Sequence, residues 1–349
     1  SAAWTVDSEL TVATLKHFTG AVVCFGIGYF ALSNIKDLRL MWFLVLVGFI
    51  VVLRLGLDQH FGGFERARQY FYTYILPNLP EPPLDYIQKI SSNRIYGPLF
   101  YPNSFAGAIL LFLPMSAFAA WEITRRFGRL PQITAVSIIL LASLACLYWS
   151  GSKSGWLIFL GMTLGFLLHT PIPKRVKIGL IAAVFLIGAS AFTLKYLGFF
   201  QKGATSVAAR LDYWKAAVTI FRENPVLGSG PGTFSVRYAE IKSPESEMAR
   251  LCHNDYLEQA CDSGLIGFLT FLTYIGGSLL VLYRYRIHKG INLHFLVWLG
   301  LVGICVQGVS EFNFYLPGLA WPVFLLIGWL WAATNQVDNG RPANYAPKK

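Results

Sequence analysis

The chain has 349 residues, 55% of them hydrophobic, 15% aromatic and only 13% charged, with a mean hydropathy of +0.50. That is more apolar surface than a soluble domain can bury, so the composition excludes a water-soluble globular protein and indicates an all-α integral membrane protein. The formal net charge of +11 raises nucleic acid as a partner, an idea that the placement of the charges removes.

A bilayer core about 30 Å thick needs about 20 apolar residues per helix. Runs of that kind predict about nine transmembrane helices, over residues 15–35, 40–57, 104–123, 133–150, 156–168, 178–194, 265–283, 293–309 and 317–333. The fifth is short, which requires tilt or extension at its ends. The whole chain, 1–349, then reads as a single polytopic membrane domain. Lys36 and Arg39, then Arg125, Arg126 and Arg129, then Lys174, Arg175 and Lys177, then Arg284, Arg286 and Lys289 fall in every second loop, the pattern of a cytoplasmic side. The other loops lie outside, and two are long, residues 58–103 and residues 196–263. Sorted by this topology, the charges outside balance and the whole positive excess is cytoplasmic. Basic loops facing anionic lipid account for it, with membrane lipids as the partner and no nucleic acid. An odd number of spans with a cytoplasmic C-terminus puts Ser1 outside. No signal-peptide pattern precedes the first run, so either an upstream segment has been removed or the first span inserts unaided.

In chain order, the 58–103 loop carries Phe71, Tyr72 and Tyr74 with Pro77, Pro80, Pro82 and Pro83, a composition suited to an interfacial belt and an irregular, partly re-entrant connection. It closes on NRIYGPLFYPNS, where Gly97, Pro98 and Pro102 shape a tight backbone, Asn103 or Ser104 can cap the third span, and Arg94 lies beside the turn. The link YWSGSKSGW is so short that Lys153 sits at or just below the membrane surface. It either snorkels to headgroups or meets an anionic ligand, and the glycines and serines around it favour close backbone approach.

Within 196–263, the run LDYWKAAVTIFREN has a helical period that sets Arg210, Trp214, Ala217 and Phe221 on one face, with Asn224 and Pro225 as the stop. An amphipathic helix along the membrane follows, its arginine either snorkelling to phosphate headgroups or binding a ligand. Gly228, Gly230 and Gly232 match neither a Walker pattern nor a dinucleotide fingerprint and read as turn formers. HNDYLEQACDSGLIG launches the seventh span. Asn254 or Asp255 can cap it, and Asp255, Glu258 and Asp262 complement its positive end. His253 precedes the helix, where a neutral imidazole can take a proton. Glu311 falls near the membrane surface among aromatics, where an acid needs a partner or water. Cys24, Cys146 and Cys305 lie inside apolar spans. Cys252 and Cys261 lie outside, the second on a helix predicted to point it away from the first, so no disulfide is expected.

Taken together, these patches resemble the O-antigen ligase and polymerase family of bacterial membrane glycosyltransferases. The resemblance rests on the Arg94 to Pro114 run with Gly97, Pro102 and Asn103, the SGSKSGW link, Arg210 and Trp214 followed by NPVLGSGPGTF and HNDYLEQACDSGLIG, and the Glu311 segment. It spans roughly Arg94 to Ala333, and its most specific piece is the ordered pair of Arg210 and His253. There are two departures from the family pattern. Lys153 stands where the family commonly has Arg, keeping the charge but losing the bidentate fork. Gln307 and Glu311 stand where it commonly has His and, four residues later, Asp.

The resemblance implies a multi-helix fold like that of C-type glycosyltransferases (GT-C-like), with short helices in the large loop on the periplasmic face of the inner membrane. It implies a glycan on undecaprenyl diphosphate as donor, a hydroxyl of the lipid A core or of a growing polysaccharide as acceptor, and inverting transfer without metal or cofactor. In keeping with that, no set of His and acidic residues has metal-ligand spacing. Arg210, Lys153 and Arg94 are expected to hold the diphosphate and His253 to take the acceptor proton, with Asn103, Asn254 and Glu311 as secondary candidates. The competing readings are a lipid-linked glycan transporter or flippase, a protein O-oligosaccharyltransferase, and a structural partner in a polysaccharide complex. A transporter predicts internal repeats and broken helices near mid-membrane. The chain shows one large asymmetric loop and no clear repeat.

Overall fold

The computed structural model describes residues 2–78, 87, 91–201, 205–286 and 291–338, and among them every regular element is helical. Helix α1 (Ser8–Gly26) starts where Asp7 Oδ1 accepts from the Leu10 amide at 2.9 Å, and it runs into a π-turn at Ile27–Ala31. Helix α2 (Arg39–Asp58) ends in a second π-turn, Gln59–Gly63, kinked at Phe61 and Gly62, before α3 (Phe64–Tyr70). Then come α4 (Pro102–Thr124), α5 (Arg129–Ser150), α6 (Lys153–His169), α7 (Lys174–Gln201), α8 (Thr205–Glu223) and α9 (Phe234–Ile241). Helix α10 (Asp255–Leu272) passes through a π-turn at Thr273–Gly277 into α11 (Ser278–Arg286), followed by α12 (Leu293–Gln307) and α13 (Pro317–Asp338).

Among the described residues, seven helical stretches are long and apolar enough to cross a membrane: Ser8–Asn34, Arg39–Asn78, Pro102–Phe127, Arg129–Ser150, Lys174–Gln201, Asp255–Arg284 and Pro317–Thr334. They coincide with seven of the predicted spans. The other two are the shorter α6, of 17 residues, and α12, of 15. Most of α12 is buried, so its length need not match the hydrocarbon thickness. Leu130, Ile187 and Leu194 are among many large apolar side chains left open, a surface that suits lipid and not water.

Two local expectations change. Residues 64–78 form a helix, a π-turn and one 3₁₀ turn, not an irregular connection, and Phe71 is buried; Pro80, Pro82 and Pro83 lie outside the described residues. The position before α4 is Tyr101, and neither Asn103 nor Ser104 caps the helix. Pro102 removes one orphan amide at the first turn, which leaves the Asn103 oxygen for another donor. The seventh span begins at Asp255 with Asn254 as its cap, as the sequence predicts, so the helix starts well before its apolar run.

The chain divides into two compact units, residues 39–156 and residues 1–38 with 157–349. In the first, α4 is buried without interruption from Ser104 to Leu111, the mark of a helix enclosed on all sides, and α2 and α5 pack on it. In the second, α1 packs along α13. A Cβ at Gly28 would overlap the Leu325 carbonyl and one at Gly328 the Phe25 carbonyl, so two glycines let these backbones touch.

Candidate active site

The site in the second unit is built around the start of α10. Asn254 caps the helix, its Oδ1 accepting from the Tyr256 and Leu257 amides at 3.0 Å each. One turn beyond Cys261 the helix breaks at Gly264, with φ 65° and ψ −166°. The groups freed by the break are taken up by the glycine loop after α8. The Ser229 amide donates to Cys261 O (2.9 Å), the Gly230 amide to Asp262 O (3.0 Å), and the Leu265 amide to Pro225 O (2.8 Å). The Gly228 amide goes to Asn224 O, the Thr233 amide to Gly230 O, and the Gly232 amide to the Asp262 carboxylate at 2.7 Å. Every amide from Gly228 to Thr233 that proline leaves in place therefore has a protein acceptor, and the loop sets the fold; it is not a phosphate cradle. At Gly228, with φ 70°, an added Cβ would overlap the Asp262 backbone. Gly228→Ala is expected to cost about 1–3 kcal/mol from the backbone conformation alone, visible as a lowered thermal midpoint in detergent. An unchanged midpoint would contradict this account of the loop.

Helix α8 is amphipathic as predicted, but its apolar face meets protein. Tyr213, Ala216, Ala217 and Ile220 are buried against Phe234, Tyr238, Cys252 and Cys261, with Trp214 at the edge of the cluster. The bilayer-facing stripe predicted through Arg210 and Phe221 is thus displaced, because α9 and the start of α10 cover the helix. Cys252 and Cys261 are both free thiols buried in this one cluster, and the two do not point into separate surroundings. Burial pushes the Cys252 thiol well above its ordinary range, with the nearby Glu258 adding to it, so it is a packing group and not a nucleophile.

Arg210, His253 and Glu311 come together. Arg210 Nε donates to Ser310 O (3.0 Å), Nη1 to Ser206 O (3.2 Å) and Nη2 to Glu311 Oε1 (2.5 Å). The other oxygen of Glu311 lies 3.4 Å from His253 Nδ1. The Glu311 side chain is 2% exposed and that of His253 28%. A carboxylate only accepts, so Nδ1 is the donor in this pair, and Nε2 is the ring nitrogen that a neutral imidazole has for taking a proton. The imidazole is held between the Tyr213 ring, stacked at 5.8 Å, and the Phe312 ring, edge-on at 4.7 Å, while Trp214 Nε1 donates to the His253 carbonyl at 3.4 Å. Burial and the neighbouring Glu247 push the Tyr213 phenol up to about 12, so the ring beside His253 stays neutral. His253 itself adopts φ 54°, an uncommon conformation outside glycine.

Asp255 supports this arrangement, a role that the sequence did not reveal. Its amide donates to Gly308 O at 2.7 Å and Glu311 O at 3.1 Å, and its Oδ1 accepts from the Phe314 amide at 3.1 Å. The first residue of α10 thereby grips both sides of the loop that carries Glu311. Gln307 braces the same loop through Asn313 Nδ2 at 3.1 Å. Along the sequence Asp255, Glu258 and Asp262 read as partners of a helix dipole, with Asp255 also a candidate cap. They are buried, and Asp262 Oδ2 also accepts from the Tyr315 hydroxyl at 2.8 Å.

Arg94, Asn103 and Lys153 belong to the first unit. Arg94 Nη2 donates to Asn103 Oδ1 and Nε to Ser150 O, each at 2.8 Å, so Asn103 holds the arginine across the turn after α5. Ser152 Oγ accepts from the Gly155 amide at 3.2 Å and caps α6, which makes Lys153 the first residue of that helix.

Fold and site together define a multi-pass, all-helical membrane protein with a cation, an imidazole and a buried carboxylate gathered where one span begins. Residues 138–272 match the family model described as O-antigen ligase. The match takes in Lys153, Arg210, His253 and Asn254, and leaves Arg94, Asn103 and Glu311 outside it. A Haemophilus influenzae (strain ATCC 51907 / DSM 11121 / KW20 / Rd) protein described as uncharacterized is 30% identical over 164 residues, 40% of this chain and 40% of the relative. The chain thus spans less than half the length of that relative.

Proposed function

We propose that the protein is a glycosyltransferase of the O-antigen ligase or polymerase type. In this reading it moves a glycan from undecaprenyl diphosphate to a hydroxyl of the lipid A core or of a growing polysaccharide. The reaction takes place at the periplasmic face of the bacterial inner membrane, within lipopolysaccharide or other polysaccharide biosynthesis. The observation that carries this reading is the Glu311 bridge between Arg210 and His253, which sets a fixed cation beside a base in a family segment matched to O-antigen ligases.

The acceptor oxygen attacks the anomeric carbon while His253 Nε2 takes its proton. The bond from that carbon to the diphosphate oxygen breaks, and the lipid diphosphate leaves with the electron pair. Attack opposite the leaving group inverts the configuration. Arg210 faces the charge that develops on the diphosphate, since three of its five N–H donors are engaged by protein and two remain for an oxyanion.

Detergent-purified protein is tested with an undecaprenyl-diphosphate-linked repeat unit and a core lipopolysaccharide. The expected result is glycan on the acceptor with an equal amount of free undecaprenyl diphosphate. A transporter would leave the glycan on its carrier, and that outcome overturns the proposal. Chain growth on repeat units alone would mark a polymerase, and capping of the core a ligase.

A further inference from the structure

Two described residues other than glycine have positive φ, His253 and Phe100. Strained backbone persists where the surroundings over-determine it, and it clusters where a protein binds or reacts. His253 is accounted for above. Phe100 has φ 61° and ψ −8°, directly after the 3₁₀ turn Gly97–Leu99 and just before the extended Tyr101 that leads into α4. Glycine is the residue that this conformation favours, and a bulky aromatic stands there. Packing does not repay the strain, because Phe100 is 76% exposed.

The turn beneath the ring is firmly seated. Gln59 Oε1 accepts from the Tyr96 and Gly97 amides at 2.9 and 2.8 Å, and its Nε2 donates to Gly97 O at 3.1 Å. The Tyr96 ring lies nearly parallel to that of Phe100, 6.2 Å away at 23°. The residues that follow Gln59 in sequence form a second aromatic group. His60 stacks on Trp149 at 3.7 Å, and Phe61, 70% exposed, meets the Trp149 edge at 5.5 Å. Arg94 and Asn103, paired at 2.8 Å, flank the same turn. One end of the first unit therefore offers fixed, open aromatic faces beside hydrogen-bonding side chains.

We propose that Phe100 is a sugar-binding platform, its ring taking the C–H face of a pyranose in the glycan that is transferred. Rigid aromatic faces with a few placed polar groups suit a ring that is apolar on its faces and hydroxylated at its rim. A lipid anchor explains less, since any outward position on α4 would present an aromatic to headgroups without backbone strain. The proposal rests on the transferase reading for the identity of the glycan.

The test uses the transfer assay above with Phe100→Gly, Phe100→Leu and Phe100→Tyr. Phe100→Gly relieves the backbone, so its thermal midpoint stays level or rises, while KM for one substrate rises about tenfold, which is about 1.4 kcal/mol. Whether the donor or the acceptor KM moves identifies which glycan occupies the ring. Phe100→Tyr retains wild-type KM and Phe100→Leu does not. Unchanged KM values in Phe100→Gly, or full recovery by leucine, overturn the platform. Saturation transfer from the protein to free repeat-unit oligosaccharide is measured alongside. It must be present in the wild type and lost in Phe100→Gly, and equal signals overturn the proposal. If the wild type transfers nothing, the transferase reading falls alone and the platform stands or falls on saturation transfer.

Discussion

His253→Asn is expected to lower the rate of glycan transfer by about 10²- to 10⁴-fold, the range for loss of a positioned general base. Asparagine suits the test because it tolerates the left-handed backbone at φ 54° and fits between the Tyr213 and Phe312 rings. The thermal midpoint in detergent should move little, which separates lost chemistry from lost fold. The measurement is the initial rate of undecaprenyl diphosphate release at saturating donor. A rate within a few-fold of wild type would show that another group takes the acceptor proton.

The second large effect concerns the pair behind the histidine. Arg210→Ala removes one partner of a buried ion pair, the Glu311 side chain being 2% exposed, and breaking such a pair costs about 3–5 kcal/mol. It also removes the proposed diphosphate cation, worth about 10²- to 10³-fold in rate if it behaves as an oxyanion-stabilising donor does. The two consequences can be told apart. In Arg210→Ala with Glu311→Ala both members of the pair go together, so much of the lost stability should return while transfer stays low. Recovery of both stability and rate in the double variant would reduce Arg210 to a counter-ion for Glu311.

The helical frame was legible because bilayer thickness imposes a run length that local composition reveals directly, as from Arg39 to Asp58 or from Pro102 to Thr124. The grouping of Arg210 with Glu311 was not. Those residues are 101 apart in sequence, and their meeting depends on Asp255 gripping the Gly308–Phe314 loop, a contact that no periodicity encodes. Helix α8 shows the same limit. Its amphipathic period was readable, but a period cannot say whether lipid or a neighbouring helix covers the apolar face, and here Phe234, Tyr238 and the start of α10 do. The Asn103 cap misled for a related reason. Capping preference is local, whereas the Arg94 side chain that takes the Asn103 oxygen approaches from a separate turn.

The pairing of α1 with α13 bears on how the chain is assembled during synthesis. His17 Nε2 lies 2.8 Å from Phe314 O across 297 residues of sequence, and the Trp321 indole stacks on the same imidazole. Residues 39–156 form an unbroken piece whose helices can pack as soon as they have entered the membrane. Helix α1 cannot meet its partner until the α13 segment has been made, so it must wait in lipid through most of translation. The Gly28 surface of the π-turn that follows it, shaped for the α13 backbone, is exposed to a wrong partner during that interval. A slow or truncated C-terminal half should therefore leave residues 39–156 protease-resistant while α1 and the Arg210 site remain unassembled.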